Sequence, residues 1–239
     1  MMGLGEKKYS LDSQGGIDSL IEYMDNLAQD FTVSISLTQI GDKKPSATAT
    51  GKMTRVEILR FLESKKLENY AASQKDELTG MLNCDFFRDK LAMVDKSEAL
   101  PVAVVNFNIN DWKVCNDNFG DEVSDRLIKT ISNFIKFESK PEYVVGRIDG
   151  DVFAVLIPNA QQDEAEKFIE KVKTRCVDYD DDKILPSVAA GVVYKTNIDQ
   201  SIDDLMSDAE YLMFKDKLAM KNDERYKRRL KRKLENAGK

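Results

Sequence analysis

The sequence contains no histidine among its 239 residues. This absence excludes histidine-dependent catalytic triads and histidine metal sites, and it leaves carboxylates and lysines as the available acid and base groups. Cysteine is scarce as well, because Cys84, Cys115 and Cys176 are far apart and form no CxxC pair. We therefore expect neither a zinc site nor a disulfide, and we interpret each cysteine as a small buried hydrophobe.

Long apolar runs are also missing from the sequence. No run approaches the roughly 20 residues that a membrane-spanning helix needs. Residues 1–10 lack the apolar core of a signal peptide. The sequence therefore predicts a cytoplasmic protein, or the soluble part of a larger one.

The charge is distributed unevenly along the chain. The net charge is −6, yet residues 225–239 hold eight Lys or Arg and one Glu, so the first 224 residues are strongly acidic. An acidic body with a basic tail is not typical of a dedicated nucleic-acid binder. Contacts of the tail with RNA, anionic lipid or an acidic partner stay open, but we favour a solvated helical extension.

The first 53 residues predict a short αββ element. Apolar residues recur at helical spacing over about residues 17–30. An alternating stretch at 33–37, a turn at 41–45 and a second stretch at 46–53 follow, as in a hairpin. An element of this length is too small for a secure core, so we interpret residues 1–53 as a sensor or dimerisation fragment.

A helix at about residues 54–75 predicts the domain boundary. Thr54 and Glu57 form a capping-box pattern that marks its start. Its apolar positions are sparse, which favours a connecting or dimerising helix over a buried one. We therefore place a second domain at 76–224 and a basic tail at 225–239.

From residue 76 onwards, helical and strand patterns alternate. The predicted helices cover 84–94, 111–136 with a break at 119–120, 162–177 and 202–220; the predicted strands cover 101–109, 143–148, 152–157 and 187–194. Four apolar strands interleaved with helices predict an α/β (α+β) layer fold, with helices packed on a sheet.

The turn between the second and third of these strands carries acids. Asp149-Gly150 between apolar runs is a strong hairpin signal and predicts positive φ in the turn, which Asp149 would help to supply. Carboxylates at such a tip can bind a metal ion and a phosphate. Whether Asp149 and Asp151 converge on one metal ion or diverge stays open.

Four motifs in this domain follow one another at fitting spacings across about 150 residues. They are D-E-L-T-G-M-L-N at 76–83, N-I-N-D-W-K-V-C-N-D-N-F-G at 108–120, D-G-D-V-F at 149–153 and K-L-A-M-K-N at 217–222. The ordered set resembles GGDEF domains, the diguanylate cyclase family. The resemblance implies a palm-like fold of the nucleotidyl-cyclase type, with a central, mainly antiparallel sheet. It also implies a homodimer that condenses two GTP molecules to cyclic di-GMP with Mg²⁺ held by two carboxylates.

The resemblance places neutral residues at several acidic positions of the family. Asn108 stands at the strand-end metal acid, Asn110 at the next acid, and Val152 at the fourth letter of the hairpin motif. Asp151 keeps the third letter, while Asp149 replaces the first glycine. One metal acid is thus retained, so we expect weak Mg²⁺ binding through Asp151, with or without Asp149, and no catalytic residue.

Other family positions are retained. Asn116 and Asp125 match the pair that reads the guanine edge, and Lys217 and Lys221 match the positions that hold the phosphates. The alternatives are helix or loop capping for the first pair and an exposed helix face for the lysines. The family's inhibitory R-x-x-D slot reads K-P-E-Y at 140–143, so product binding there is not expected.

These observations favour a degenerate GGDEF protein of bacterial cyclic di-GMP signalling. It would lack catalysis and bind a guanine nucleotide such as GTP, a protein partner, or both, with a homodimer as a further option. The first alternative is an active diguanylate cyclase, or a related cyclase with a variant metal site built on Asp149 and Asp151. The second alternative is a structural interaction domain that binds no nucleotide.

Overall fold

The computed structural model describes residues 14–25, 31–37, 47–97 and 99–237. The chain divides after Ser73 into two units with separate cores. The sequence-based boundaries at residues 53, 75 and 224 stay predictions. Within the described residues, no helix has both the length and the apolar character that crossing a membrane requires.

The first unit is the predicted αββ element followed by a long helix. Its elements are α1 (Gln14–Asp25), β1 (Phe31–Leu37), β2 (Ala47–Met53) and α2 (Arg55–Ser73). The two strands pair antiparallel, from Phe31 opposite Met53 to Leu37 opposite Ala47. The end of the predicted first helix, 26–30, and the predicted turn at 41–45 lie outside the described residues.

The capping box at the start of α2 is confirmed. The backbone N–H of Thr54 donates to Glu57 Oε2 at 2.8 Å, and the N–H of Glu57 donates to Thr54 Oγ1 at 3.3 Å. These reciprocal bonds satisfy two of the free donors at the helix start. The hydrogen bonds from Thr54 also lower the pKa of Glu57.

The second unit contains a four-stranded antiparallel sheet with helices on both faces, as predicted. Its elements are α3 (Cys84–Asp95), β3 (Val102–Ile109), α4 (Trp112–Phe119), α5 (Asp121–Glu138), β4 (Val144–Asp149), β5 (Val152–Ile157), α6 (Glu164–Asp178), β6 (Val188–Lys195), α7 (Ile202–Asn222) and α8 (Glu224–Ala237). The strand order is β4-β5-β3-β6. The central strand β3 is buried along its whole length.

Alternation along β3 decides which helix each side chain meets. Val105 and Phe107 join the core that includes residues of α5 and α6. Val102 and Val104 join the core on the other face, which includes residues of α3 and α7. Because side chains two residues apart share a face, Asn108 lies on the α7 side.

Two of the three cysteines confirm the prediction that they are buried hydrophobes. Cys115 of α4 and Cys176 of α6 lie in the core between the sheet and its helices. Burial raises the pKa of both thiols, to about 12 for Cys176. Cys84, the first residue of α3, is half-buried.

The basic tail forms a helix that packs on the second unit through one side. Tyr226 is buried, and its hydroxyl donates to Asp111 Oδ2 at 2.8 Å. Leu230 and Leu234 follow at four-residue spacing and line the same small cavity as Tyr226. The predicted helical extension is therefore confirmed over residues 224–237, but it is not simply solvated, because the spacing gives α8 one apolar face that packs on the domain.

Candidate functional site

The hairpin tip differs from the turn that the sequence predicted. Asp149 pairs with Val152 across Gly150 and Asp151, and the register shifts between Arg147 and Asp149. None of Asp149, Gly150 and Asp151 is among the described residues with positive φ, so that prediction is wrong. The irregularity adds local twist, so the turn does not need a left-handed residue. Asp149 instead accepts a hydrogen bond from the Gly150 N–H at 2.8 Å.

Arg147 ties this hairpin to the first motif. Its Nε and Nη2 donate to the Gly150 carbonyl at 3.0 and 2.7 Å. Its Nη1 donates to both carboxylate oxygens of Asp76 at 3.2 and 3.1 Å, and Thr79 donates to the same carboxylate. Burial works to raise the pKa of Asp76, but the Thr79 bonds and the Arg147 charge outweigh it and lower that pKa. No local pattern in the sequence indicates this link, because the two residues are 71 positions apart.

The strand end and the hairpin meet, as the family resemblance implies. Asn108 lies opposite Val152 in the antiparallel register, and the Ile109 N–H donates to the Asp151 carbonyl at 3.0 Å. Asn108 is buried, and its Oδ1 accepts a hydrogen bond from the Lys217 ammonium. The Lys217 ammonium therefore binds the side-chain oxygen of Asn108, the residue at the position where the family has a metal-binding acid.

The residues present do not fit a tightly held Mg²⁺. This ion requires several oxygen ligands in nearly octahedral geometry. Asp151 offers a carboxylate, but the Asn108 oxygen binds an ammonium and Val152 has no donor atom. Within the described part of the chain, no three acidic or cysteine side chains cluster as a metal site requires.

The predicted base-reading residues lie on two consecutive helices. Asn116 is on α4 and Asp125 on α5, and the helices meet at Gly120, whose φ of 81° favours glycine. The Ser124 hydroxyl donates to Asn116 Oδ1 at 2.9 Å, which leaves the amide nitrogen of Asn116 as a donor. Asp125 is half-buried and forms no side-chain hydrogen bond within the described residues. This corner thus offers an amide donor and a carboxylate acceptor, and neither side chain caps a helix.

The two predicted phosphate-binding lysines differ in their surroundings. Lys217 is half-buried against Asn108, whereas Lys221 is exposed one turn later on α7. Asp216 fixes this part of α7 because its Oδ2 accepts from Lys173 Nζ at 2.6 Å and from the Ala190 N–H at 2.8 Å. The structure therefore brings Lys217 to the strand end, and the role predicted for Lys221 stays a prediction.

The slot of the family's inhibitory motif is occupied by an internal network. Glu164 of α6 accepts hydrogen bonds from the Lys140 ammonium, from the Tyr143 hydroxyl at 2.8 Å and from the Gln161 N–H at 2.8 Å. The Lys140 bond is the main reason that the pKa of Glu164 falls to about 2. Two of the four slot residues therefore bind an acid of the chain itself.

This network predicts a measurable dependence of stability on acidity. The folded pKa of Glu164 is about 2 against an ordinary 4.5, so its contribution to stability is present above about pH 4.5 and is lost as the pH falls toward 2. We expect Glu164→Gln to lower the urea midpoint at neutral pH and to flatten the fall of that midpoint between these pH values. Parallel pH profiles for the variant and the unmodified chain would contradict the lowered pKa of Glu164 in the folded state. Glu170→Gln on the exposed face of α6 is the matched control.

Comparison with known proteins places this geometry in a family. The family model described as diguanylate cyclase, GGDEF domain, matches residues 73–223. The probable diguanylate cyclase DgcT of Escherichia coli is 28% identical over 102 residues, which cover 42% of this chain and 23% of DgcT. The next curated relative, YhcK of Bacillus subtilis, is matched over 44% of its length, so the chain spans less than half of either protein.

Solved structures share the fold of the second unit. The coiled coil and GGDEF domain of DgcB from Caulobacter crescentus, in complex with c-di-GMP, has a TM-score of 0.63 at 18% identity, covering 69% of this chain and 90% of that one. The diguanylate cyclase SiaD of Pseudomonas aeruginosa, in complex with its activator SiaC, has a TM-score of 0.58 at 19% identity, covering 69% and 65%. With the family model matching more than half of its length, this chain belongs to the GGDEF domain family, as its motifs predicted.

Proposed function

We propose that this protein is a catalytically inactive GGDEF regulator in cyclic di-GMP signalling, which recognises a guanine nucleotide and acts through a protein partner. The single observation that carries the proposal is the Lys217 ammonium on the Asn108 side chain. Asn108 stands at the position where the family's reaction requires a carboxylate that binds Mg²⁺. An ammonium held at this point repels a divalent metal ion and therefore disfavours its binding.

The loss of the hairpin acid supports the same conclusion. Two-metal phosphoryl chemistry needs carboxylates that hold the ions and bring the attacking hydroxyl into line. Val152, directly opposite Asn108, can neither bind a metal ion nor take a proton. Of the family's metal-binding and catalytic acids at these positions, Asp151 is thus the one that this chain keeps.

Guanine recognition is supported by the corner of α4 and α5. The Asn116 amide nitrogen and the Asp125 carboxylate offer the donor and acceptor that the Watson–Crick edge of guanine requires. Lys217 adds a cation near the strand end where the phosphates of a nucleotide would lie in this family. A protein partner is supported by analogy with SiaD, which was solved in complex with its activator.

Turnover and binding are tested separately. Incubation of the purified chain with GTP and either Mg²⁺ or Mn²⁺ is expected to give no cyclic di-GMP by liquid chromatography. Catalytic accumulation of the product would contradict the proposal. It would favour the active-cyclase alternative if Asp151→Ala then abolished that activity.

Binding is tested by calorimetric titration with GDP and GTP, without metal. We expect saturable binding that Asp125→Ala weakens by about tenfold, because a hydrogen bond to a charged group contributes roughly 1.5 kcal/mol or more. Asp117→Ala, an exposed acid on the neighbouring helix α4, is the control and is expected to leave the affinity unchanged. Absence of any saturable binding would favour the purely structural alternative.

A further inference from the structure

The last helix, α8, packs against both helices that carry the predicted guanine-reading residues. Asn116 is on α4 and Asp125 is on α5. The cavity that α8 shares with these two helices measures about 20 Å³, so little space separates the three elements. Its apolar lining comes from all of them: Cys115 and Phe119 of α4, Leu127 of α5, and Leu230 and Leu234 of α8. A movement of α8 would therefore be felt by α4 and α5 together.

One polar contact of α8 holds the start of α4. Tyr226 is 7% exposed, and its hydroxyl donates to Asp111 Oδ2 at 2.8 Å. Asp111 directly precedes α4 and has a φ of 52°, a left-handed conformation that residues other than glycine rarely adopt. Burial and the Asp111 charge raise the pKa of the Tyr226 hydroxyl, which therefore stays a donor at neutral pH. Because α4 has only eight residues and is too short to be stable alone, this contact helps to set the direction in which it leaves β3.

A second polar contact of α8 reaches α5 through the loop that precedes β6. The Lys233 ammonium donates to the carbonyl oxygen of Asp181. The carboxylate of Asp181 accepts two hydrogen bonds from Arg126, at 2.8 and 3.0 Å. Arg126 directly follows Asp125 on α5. Asp181 thus ties α8 to the turn of α5 that carries the predicted guanine acceptor.

We propose that α8 positions the corner of α4 and α5 for guanine recognition, with Tyr226 and Lys233 as the positioning residues. This inference rests on the proposed guanine binding and makes the basic tail part of that site. Guanine presents two adjacent donors, N1–H and the 2-amino group, and one carboxylate accepts from both only when it is correctly placed. Release of α8 moves Asn116 with α4 and Asp125 with α5. It therefore lowers the selectivity for guanine as well as the affinity.

Removal of a single hydroxyl tests the contact with α4 in the full chain. Tyr226→Phe keeps the ring in the core and removes the donor to Asp111. In calorimetric titration we expect about fivefold weaker GDP binding than for the unmodified chain. We also expect a smaller preference for GDP over inosine diphosphate, which lacks the 2-amino group. Lys233→Met, which keeps the aliphatic stem, is expected to act in the same direction but more weakly, because Asp181 keeps its bonds to Arg126.

Tyr194→Phe is the matched control for Tyr226→Phe. It removes the same kind of bond, since the Tyr194 hydroxyl donates to Glu166 Oε2 at 2.5 Å. Glu166 lies on α6, which carries neither of the guanine-reading residues. We expect this control to leave the GDP affinity and the preference over inosine diphosphate unchanged, even where it lowers stability.

Hydrogen exchange without nucleotide separates the positioning role of α8 from the proposed function. Tyr226→Phe is expected to speed the exchange of the α4 backbone amides more than Tyr194→Phe does, because it loosens the anchor of that helix. Faster α4 exchange in a chain that binds no GDP would overturn the proposed function and uphold the positioning of α4 by α8. Equal α4 exchange in the two variants, or an unchanged preference for GDP in Tyr226→Phe, would overturn the positioning role. Circular dichroism establishes that every variant is folded.

Discussion

Replacing Gly191 with alanine is expected to destabilise the second unit by about 3 kcal/mol, at the upper end of the cost of overpacking. Gly191 lies on β6, where an added Cβ would meet Ala209 O at 2.1 Å and Met213 N at 2.4 Å. These are backbone atoms of α7, so no rotation of a side chain can relieve the clash. The helix must shift away from the sheet, and Lys217 must move with it. Urea unfolding followed by the fluorescence of the single tryptophan, Trp112, measures the loss.

Gly150→Ala is the matched control for this substitution. No atom lies within 4 Å of a Cβ added at Gly150, and its φ is not in the left-handed region. We expect a change in the free energy of unfolding of at most about 0.5 kcal/mol, as for other surface substitutions. Equal losses for the two variants would show that α7 is not held as closely on β6 as described.

Replacing Arg147 with alanine is expected to cost about 2–3 kcal/mol of unfolding free energy, because truncation leaves partly buried hydrogen-bonding groups unpaired. The Arg147 side chain is 15% exposed and the Asp76 side chain 23% exposed. Loss of the Arg147 guanidinium would leave the Gly150 carbonyl without its two side-chain donors and Asp76 without its cation. The hairpin would then be released from the first motif. Urea unfolding measures the stability, and the affinity for GDP reports the effect on the site.

Two variants sharpen this second prediction. Arg147→Lys is expected to recover only part of the loss, since an ammonium cannot reproduce the fork of donors. Arg126→Ala breaks a bidentate pair with Asp181 in which the arginine is 46% exposed, and it should cost less than about 1 kcal/mol. A loss for Arg147→Ala no larger than that for Arg126→Ala would show that the hairpin does not depend on this contact.

Much of the fold follows from local patterns in the sequence. The apolar runs at 101–109 and 152–157 predicted two buried strands, and Thr54 with Glu57 predicted the start of α2. These signals are local, because periodicity and capping depend on residues a few positions apart. The hairpin at 149–152 was predicted in place but not in conformation, since the irregularity in β4 arises only when the strand pairs with its neighbour.

The long-range contacts of the site could not be predicted in this way. Asn108 and Lys217 are 109 positions apart, and Asp111 and Tyr226 are 115 apart. The spacing of Tyr226, Leu230 and Leu234 was the one available signal for the packing of α8. The many basic residues around these three apolar positions favoured a solvated helix instead.

The family, the order of the elements and the loss of acids at Asn108 and Val152 can all be read from the amino-acid sequence. Motif letters and periodicity are properties of the chain, so they need no coordinates. Three features emerge only from the packed domain: a lysine ammonium binds Asn108, Arg147 joins the hairpin to Asp76, and apolar side chains of α7 stay exposed. Hydrogen bonding and burial depend on distances in space, and elements such as β3 and α7 fix these distances only when they pack together.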